Sequence, residues 1–185
     1  MSIPRIALCA QARSGSSMMM EALEAGGLFV DKSDEPDALI LELFRNPRGL
    51  FENSKETSKG IFNNTVKVLQ LNQIANIPAD YKLIFLNRSF NEILASWQQV
   101  IATGTVQGRD MTKVDYIGVA RERNTLWETV RAATTNKLEL EYNAVVADPL
   151  TAMTAISAYV NTPDFTFNVD EAVKVIDANL YIKRS

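Results

Sequence analysis

An α/β domain with a mostly parallel sheet and helices on both faces is the fold class that the sequence predicts, on three observations. Short apolar runs at residues 6–10 and 81–86 have the length of buried strands rather than of helices. Segments of helical spacing follow both, so strands and helices alternate along the chain. The first strand also runs directly into a small-residue turn, Gln11-Ala12-Arg13-Ser14-Gly15-Ser16-Ser17, that opens a helix. Ligands of such sheets sit beyond the carboxyl ends of the strands, where this turn and Arg88 both fall.

Each element follows from its own pattern. The helix after the turn begins near Ser16, carries Met18, Met19, Met20, Leu23 and Leu28 beside good helix formers, and stops at Gly26-Gly27. Residues 29–36 form a charged, turn-rich connection. Residues 36–44 have helical spacing at Leu39, Ile40, Leu43 and Phe44, then reach the turn Asn46-Pro47-Arg48-Gly49 and Leu50-Phe51-Glu52. The polar stretch 53–64 predicts a mobile surface loop. A second strand lies within 65–71, through Val66 and Val68, and Pro78-Ala79-Asp80 marks a turn.

Residues 81–86 are the clearest buried strand, ending at Asn87-Arg88, and a helix runs from about Asn91 to Thr103. Residues 104–113 read as a polar loop, 114–134 as a long amphipathic helix, and 138–142 alternate like a strand. Asp148-Pro149 opens a helix to about Val160, with Asp148 as N-cap and Pro149 in the first helical position. Pro163 breaks the chain. A short helix over 169–177 precedes the tail Asn179-Leu180-Tyr181-Ile182-Lys183-Arg184-Ser185.

Composition bounds the function. At 185 residues, 46% hydrophobic and 22% charged, the chain predicts one globular domain spanning 1–185 with a substantial core. A net charge of -3 offers no reason to expect nucleic acid or an anionic membrane as partner. The single cysteine, Cys9, lies in the first strand as a small core residue and forms no internal disulfide. With no histidine in the chain, zinc sites of the usual kind and Ser-His-Asp or Cys-His chemistry drop out, so a general base must be a carboxylate, a lysine or a tyrosine. No signal peptide is recognisable and no stretch approaches the roughly 18 apolar residues of a membrane span. A soluble, cytoplasmic protein is expected.

The first turn has the chemistry of an anion cradle. Backbone N–H groups at a helix N-terminus point at the ligand and the helix dipole favours negative charge. Arg13 adds a fixed positive charge, and Ser14, Ser16 and Ser17 add hydroxyl donors. The turn lacks the first Gly and the Lys of the G-x-x-x-x-G-K-[ST] loop, and a Ser-rich turn also serves simply as an N-cap. Arg88 stands at the end of the 81–86 strand, with Ser96 about a turn and a half inside the following helix, so both side chains can share one phosphate. The alternative is that Arg88 pairs with Glu92 while Ser96 bonds back to its own helix.

These segments resemble the sulfotransferase family. Arg13-Ser14-Gly15-Ser16-Ser17 is similar to the family's [KR]-S-G-[ST]-[ST] loop after the first strand. Arg88 to Ser96, within LIFLNRSFNEILASW, is similar to its strand-R-[DN]-x-x-x-x-x-x-S motif. Asn46-Pro47-Arg48-Gly49-Leu50-Phe51-Glu52 resembles an N-P-x-G-x-x-E segment of small bacterial-type members. Leu140-Glu141-Tyr142 with Ala147-Asp148-Pro149 resembles a V-x-Y-x-x-L-x-x-D-P segment, and the tail resembles an L-Y-R-x-R type ending. The five segments occur in the family's order over nearly the whole chain.

The resemblance implies a P-loop NTPase-like three-layer fold. It implies transfer of a sulfuryl group from PAPS to a hydroxyl or amine of a small-molecule or carbohydrate acceptor, leaving adenosine 3′,5′-bisphosphate. It implies that Arg13, Ser14, Gly15, Ser16 and Ser17 hold the 5′-phosphosulfate, and that Arg88 and Ser96 hold the 3′-phosphate. Many members carry Lys where this chain has Arg13, and a guanidinium clamps oxyanions without an ammonium's mobility. The Gly- and Lys-rich C-terminal motif of the animal cytosolic members is absent; Lys183 and Arg184 either replace it or are simply solvated. Glu52 stands as the base, or as a surface carboxylate paired with Arg48 or Lys55. Lys67 orients the acceptor or neutralises the leaving group, or is a sheet-edge lysine. Trp97 and Met18 to Met20 read as core packing, with Met20 or Phe51 alternatively lining an acceptor pocket. Two other functions stay open: a P-loop kinase or NTPase, and a non-catalytic nucleotide-binding module.

Overall fold

The structure, a computed structural model, describes residues 4–31, 64–68, 74–102, 105–106, 109–110 and 116–176. Its centre is a four-stranded, all-parallel sheet built from β1 (Ile6–Ala10), β2 (Val66–Val68), β3 (Lys82–Asn87) and β6 (Lys137–Glu141), in the order β2-β1-β3-β6. Between β3 and β6 a small antiparallel pair, β4 (Thr105–Val106) and β5 (Arg109–Asp110), stands apart. The helices are α1 (Ser16–Ala25), α2 (Phe90–Ala102), α3 (Tyr116–Ala133), α4 (Tyr142–Ala147), α5 (Pro149–Val160) and α6 (Val169–Lys174).

Side chains alternate across each strand, and the two faces collect two cores. Ile6, Leu8, Ala10, Ile84, Leu86 and Leu140 pack with Met19, Met20 and Leu23 of α1, Val145 of α4, Met153 and Ile156 of α5, and Ala172 of α6. On the opposite face Ala7, Cys9, Val66, Val68 and Phe85 gather around Trp127 of α3, whose ring lies 5.4 Å from that of Phe85. The expected arrangement of helices on both faces is therefore present. Each residue of β1 is fully buried because the strand has a neighbour on either side and cover above and below. In β6, by contrast, only Leu138 and Leu140 reach the core, and Glu139 and Glu141 stay exposed. Burial also pushes the Cys9 thiol up to about 12, so this cysteine behaves as an apolar core residue.

Three sequence expectations change. Residues 104–113 were expected as a loop, yet Thr105 pairs with Asp110 and Val106 with Arg109; strands of two residues are too short to leave a period-2 signal. Tyr142 was expected to end the last strand, but it begins α4. The alternation Leu138-Glu139-Leu140-Glu141-Tyr142 fits a strand throughout, but pairing stops at Glu141 because its partner Asn87 is the last residue of β3. The final helix ends at Lys174. The expected helix at 36–44, the segment from Asn46 to Glu52, residues 53–63 of the expected loop and the C-terminal tail lie outside the described residues.

Strand order positions the site. From β1 the chain moves to one side to make β2, then crosses to the other side to make β3. The crevice at such a reversal, beyond the carboxyl ends of β1 and β3, is where open α/β sheets bind ligands. The loop after β1 contains Arg13, and β3 ends directly before Arg88.

Candidate functional site

The β1–α1 loop is held in shape by its own polar groups. Ser14 is fully buried, and both its backbone N–H (3.2 Å) and its hydroxyl (2.7 Å) donate to the carbonyl of Gln11. That hydroxyl, expected to face a ligand, instead closes the turn. The Gln11 side chain donates to Asn124 Oδ1 of α3 at 3.0 Å, which anchors the loop to the opposite layer. Two residues adopt left-handed backbone, Arg13 at φ 74° and Gly15 at φ 91°. For Gly15 this costs little; for Arg13 it stores strain of the kind found where surrounding contacts over-determine a site.

Gly15 is the N-cap of α1, and no side chain caps the helix. The first intrahelical bond runs from Met19 N to Gly15 O at 3.1 Å, so the N–H groups of the first turn are presented forward. Glycine is required here for a second reason. A Cβ at this position would lie 2.2 Å from Cε2 of Tyr142, whose ring packs across the loop.

Arg13 and Arg88 interlock over this helix end. Arg13 Nε donates to Ser96 Oγ of α2 at 3.0 Å, and Arg88 Nη1 donates to the Arg13 carbonyl at 2.9 Å. The Arg88 guanidinium also lies 4.6 Å from the centre of the Tyr142 ring, a cation–π contact. Its Nε is 3.9 Å from Glu92 Oε2, four residues on in the first turn of α2. Glu92 in turn accepts from Asn143 Nδ2 of α4, at 3.3 Å on one oxygen and 3.1 Å on the other. The pairing of Arg88 with Glu92, expected as the alternative, is thus present, and the bond from Arg88 to the β1–α1 loop was not expected. Ser96 is buried and bonds to Arg13.

The structure brings Arg13, Ser14, Gly15, Ser16, Ser17, Arg88 and Ser96 to one end of the sheet. Lys67 lies on β2, opposite Leu8 in register and only 4% exposed, on the α1 side of the sheet because Val66 and Val68 face the other core. Glu52, Lys183 and Arg184 lie outside the described residues. Sequence reasoning did not single out Asn143, nor Tyr142 as a site residue. For Tyr142 the available signal was its place in the fourth family-like segment; for Asn143 there was none.

Among the described residues no cluster of Cys, Asp and Glu could hold a metal ion, and no helix is long and apolar enough to cross a membrane. No family model matches the chain, and no curated protein matches it. Solved structures do. The sulfotransferase domain from the curacin biosynthetic pathway aligns with a TM-score of 0.51 at 13% identity, over 99% of this chain and 91% of that one. Mouse sulfotransferase SULT7A1 complexed with PAP aligns with a TM-score of 0.49 at 13% identity, over 100% of this chain and 65% of that one. A sulfotransferase from Alicyclobacillus acidocaldarius aligns with a TM-score of 0.49 at 10% identity, over 98% and 97% of the two chains. The chain therefore spans just under two thirds of the mouse protein's length. The likeness to the curacin-pathway domain shows that the chain has the sulfotransferase fold.

Proposed function

We propose that the protein is a sulfotransferase that moves a sulfuryl group from PAPS to a hydroxyl or amine, leaving adenosine 3′,5′-bisphosphate. One observation carries the reading: Arg13 and Arg88, from two neighbouring strand ends, interlock through Ser96 and the Arg13 carbonyl around an uncapped helix N-terminus. That arrangement suits a ligand with two separate anionic groups. The residues present fit PAPS, because glycine at the N-cap puts no side-chain cap on the first-turn N–H groups and the guanidiniums add fixed charge.

The donor, when bound, supplies a sulfuryl group whose S–O bond to the 5′-phosphate breaks as the acceptor attacks in line. Arg13, the hydroxyls of Ser16 and Ser17 and the backbone N–H groups at the start of α1 hold the 5′-phosphosulfate and stabilise charge on the leaving oxygen. Arg88 and Ser96 hold the 3′-phosphate. Ser14 and Gly15 keep the loop in the shape this requires. Lys67 orients the acceptor or neutralises the leaving group, Glu52 takes the acceptor's proton, and Lys183 and Arg184 add charge for the nucleotide. The acceptor is a small molecule or a carbohydrate.

Thermal unfolding with adenosine 3′,5′-bisphosphate, set against ADP and Mg·ATP, tests the reading. A ligand at one hundred times its Kd stabilises by about 2.7 kcal/mol. For a chain of this size that raises Tm by roughly 5–10 °C. The expected result is a shift with the bisphosphate that is absent with ADP and lost in Arg88→Ala. A shift with Mg·ATP alone overturns the reading in favour of a kinase or NTPase.

A further inference from the structure

The first two residues of α4 both act on Arg88, by different routes. Tyr142 lies against the guanidinium itself, whereas Asn143 reaches Glu92 and holds both carboxylate oxygens with one amide nitrogen. With Asn143 on its carboxylate, Glu92 has its Oε2 3.9 Å from Arg88 Nε. That separation allows a Coulombic attraction but exceeds the reach of a hydrogen bond, about 3.2 Å for N–H···O. A carboxylate in the first turn of the helix that follows an arginine would otherwise be free to close on it and form a charge-assisted hydrogen bond. Such a closed pair and an incoming phosphate would compete for the same guanidinium.

We infer that Asn143 is a positioning residue that restrains the Glu92 carboxylate, so that Arg88 serves a phosphate group of the ligand rather than Glu92. The inference rests on the proposed role of Arg88 at the 3′-phosphate. Asn143 acts through Glu92 and touches no ligand in this account. Its contribution is specific to the 3′-phosphate, because the 5′ end of the ligand is held by the β1–α1 loop and the start of α1. Asn143 is exposed, and its replacement by alanine leaves both buried cores intact.

The experiment measures Kd by calorimetry for adenosine 3′,5′-bisphosphate and adenosine 5′-monophosphate, on the wild type, Asn143→Ala, and Asn143→Ala combined with Glu92→Gln. Loss of one charge-assisted contact corresponds to about a tenfold change in Kd. Asn143→Ala is expected to weaken the bisphosphate about tenfold and to leave the monophosphate within about twofold. The added Glu92→Gln removes the competing charge and is expected to restore bisphosphate binding. A purely structural role for Asn143 would weaken both ligands and would not be rescued. An unchanged bisphosphate Kd in Asn143→Ala, an equal loss for both ligands, or failure of the rescue overturns the inference while leaving Arg88's proposed role intact. A wild type that does not prefer the bisphosphate over the monophosphate removes the role of Arg88 itself, and the inference with it.

Discussion

Arg13 and Ser96 stand 83 positions apart in sequence and meet at 3.0 Å, with the Arg13 Nε–H donating to the Ser96 hydroxyl. The contact ties the loop leaving β1 to the helix that follows β3. A residue in left-handed backbone is thereby held at its side chain by Ser96 and at its carbonyl by Arg88. The strain in the loop and the contacts that maintain it belong to one unit.

Residues joined in one network lose stability non-additively. Arg13→Ala and Ser96→Ala, measured by urea unfolding, should each destabilise the protein. The double variant should lose less than the sum by about 1 kcal/mol. Strict additivity would show that the contact carries no net energy.

Gly15→Ala should be among the more damaging small substitutions. It places a side chain at φ 91° and drives a Cβ to 2.2 Å from Tyr142. Left-handed strain and overpacking together cost about 3 kcal/mol. The expected Tm loss is roughly 6–12 °C. Calorimetry of the variant checks this, and a change below about 1 °C would mean that the Tyr142 ring moves aside without cost.

Glu139 should contribute to acid sensitivity. The Lys137 ammonium, aided by Arg131, holds its carboxyl below the ordinary value of 4.5 against the opposing effect of partial burial. The distances are 2.8 Å to Lys137 Nζ and 2.5 Å to Arg131 Nη1. A carboxyl depressed in the folded state stabilises the protein above its unfolded pKa, and that share is lost as pH falls through the folded pKa. The Tm gap between wild type and Glu139→Gln should therefore be constant from pH 7 to about 5 and close on further acidification. A gap that widens below the ordinary value would contradict the sign.

Much of the sheet was legible because burial writes itself into composition. The runs at Ile6–Ala10 and 81–86 are apolar because parallel strands with cover on both faces must be. The β1–α1 turn was legible as a strand-to-helix turn because small polar residues follow an apolar run and precede a helical pattern. The start of α4 was not legible. Alternation continues through Tyr142, and what ends the strand there is the end of its partner at Asn87, a fact held in a segment over fifty residues away.

The amino-acid pattern alone was enough to locate the apolar strands and the strand–helix alternation, and to put Arg13 and Arg88 just beyond strand ends with Ser96 inside the helix after Arg88. These depend on local periodicity and on the chemistry of single side chains. It took the folded arrangement to show that the Ser14 hydroxyl turns inward to Gln11, that Tyr142 fills the space a Cβ on Gly15 would need, and that Asn143 reaches Glu92 beside Arg88. Each of these depends on the distance between groups far apart in sequence, which is set by the β2-β1-β3-β6 order of the sheet and the way the helices pack upon it.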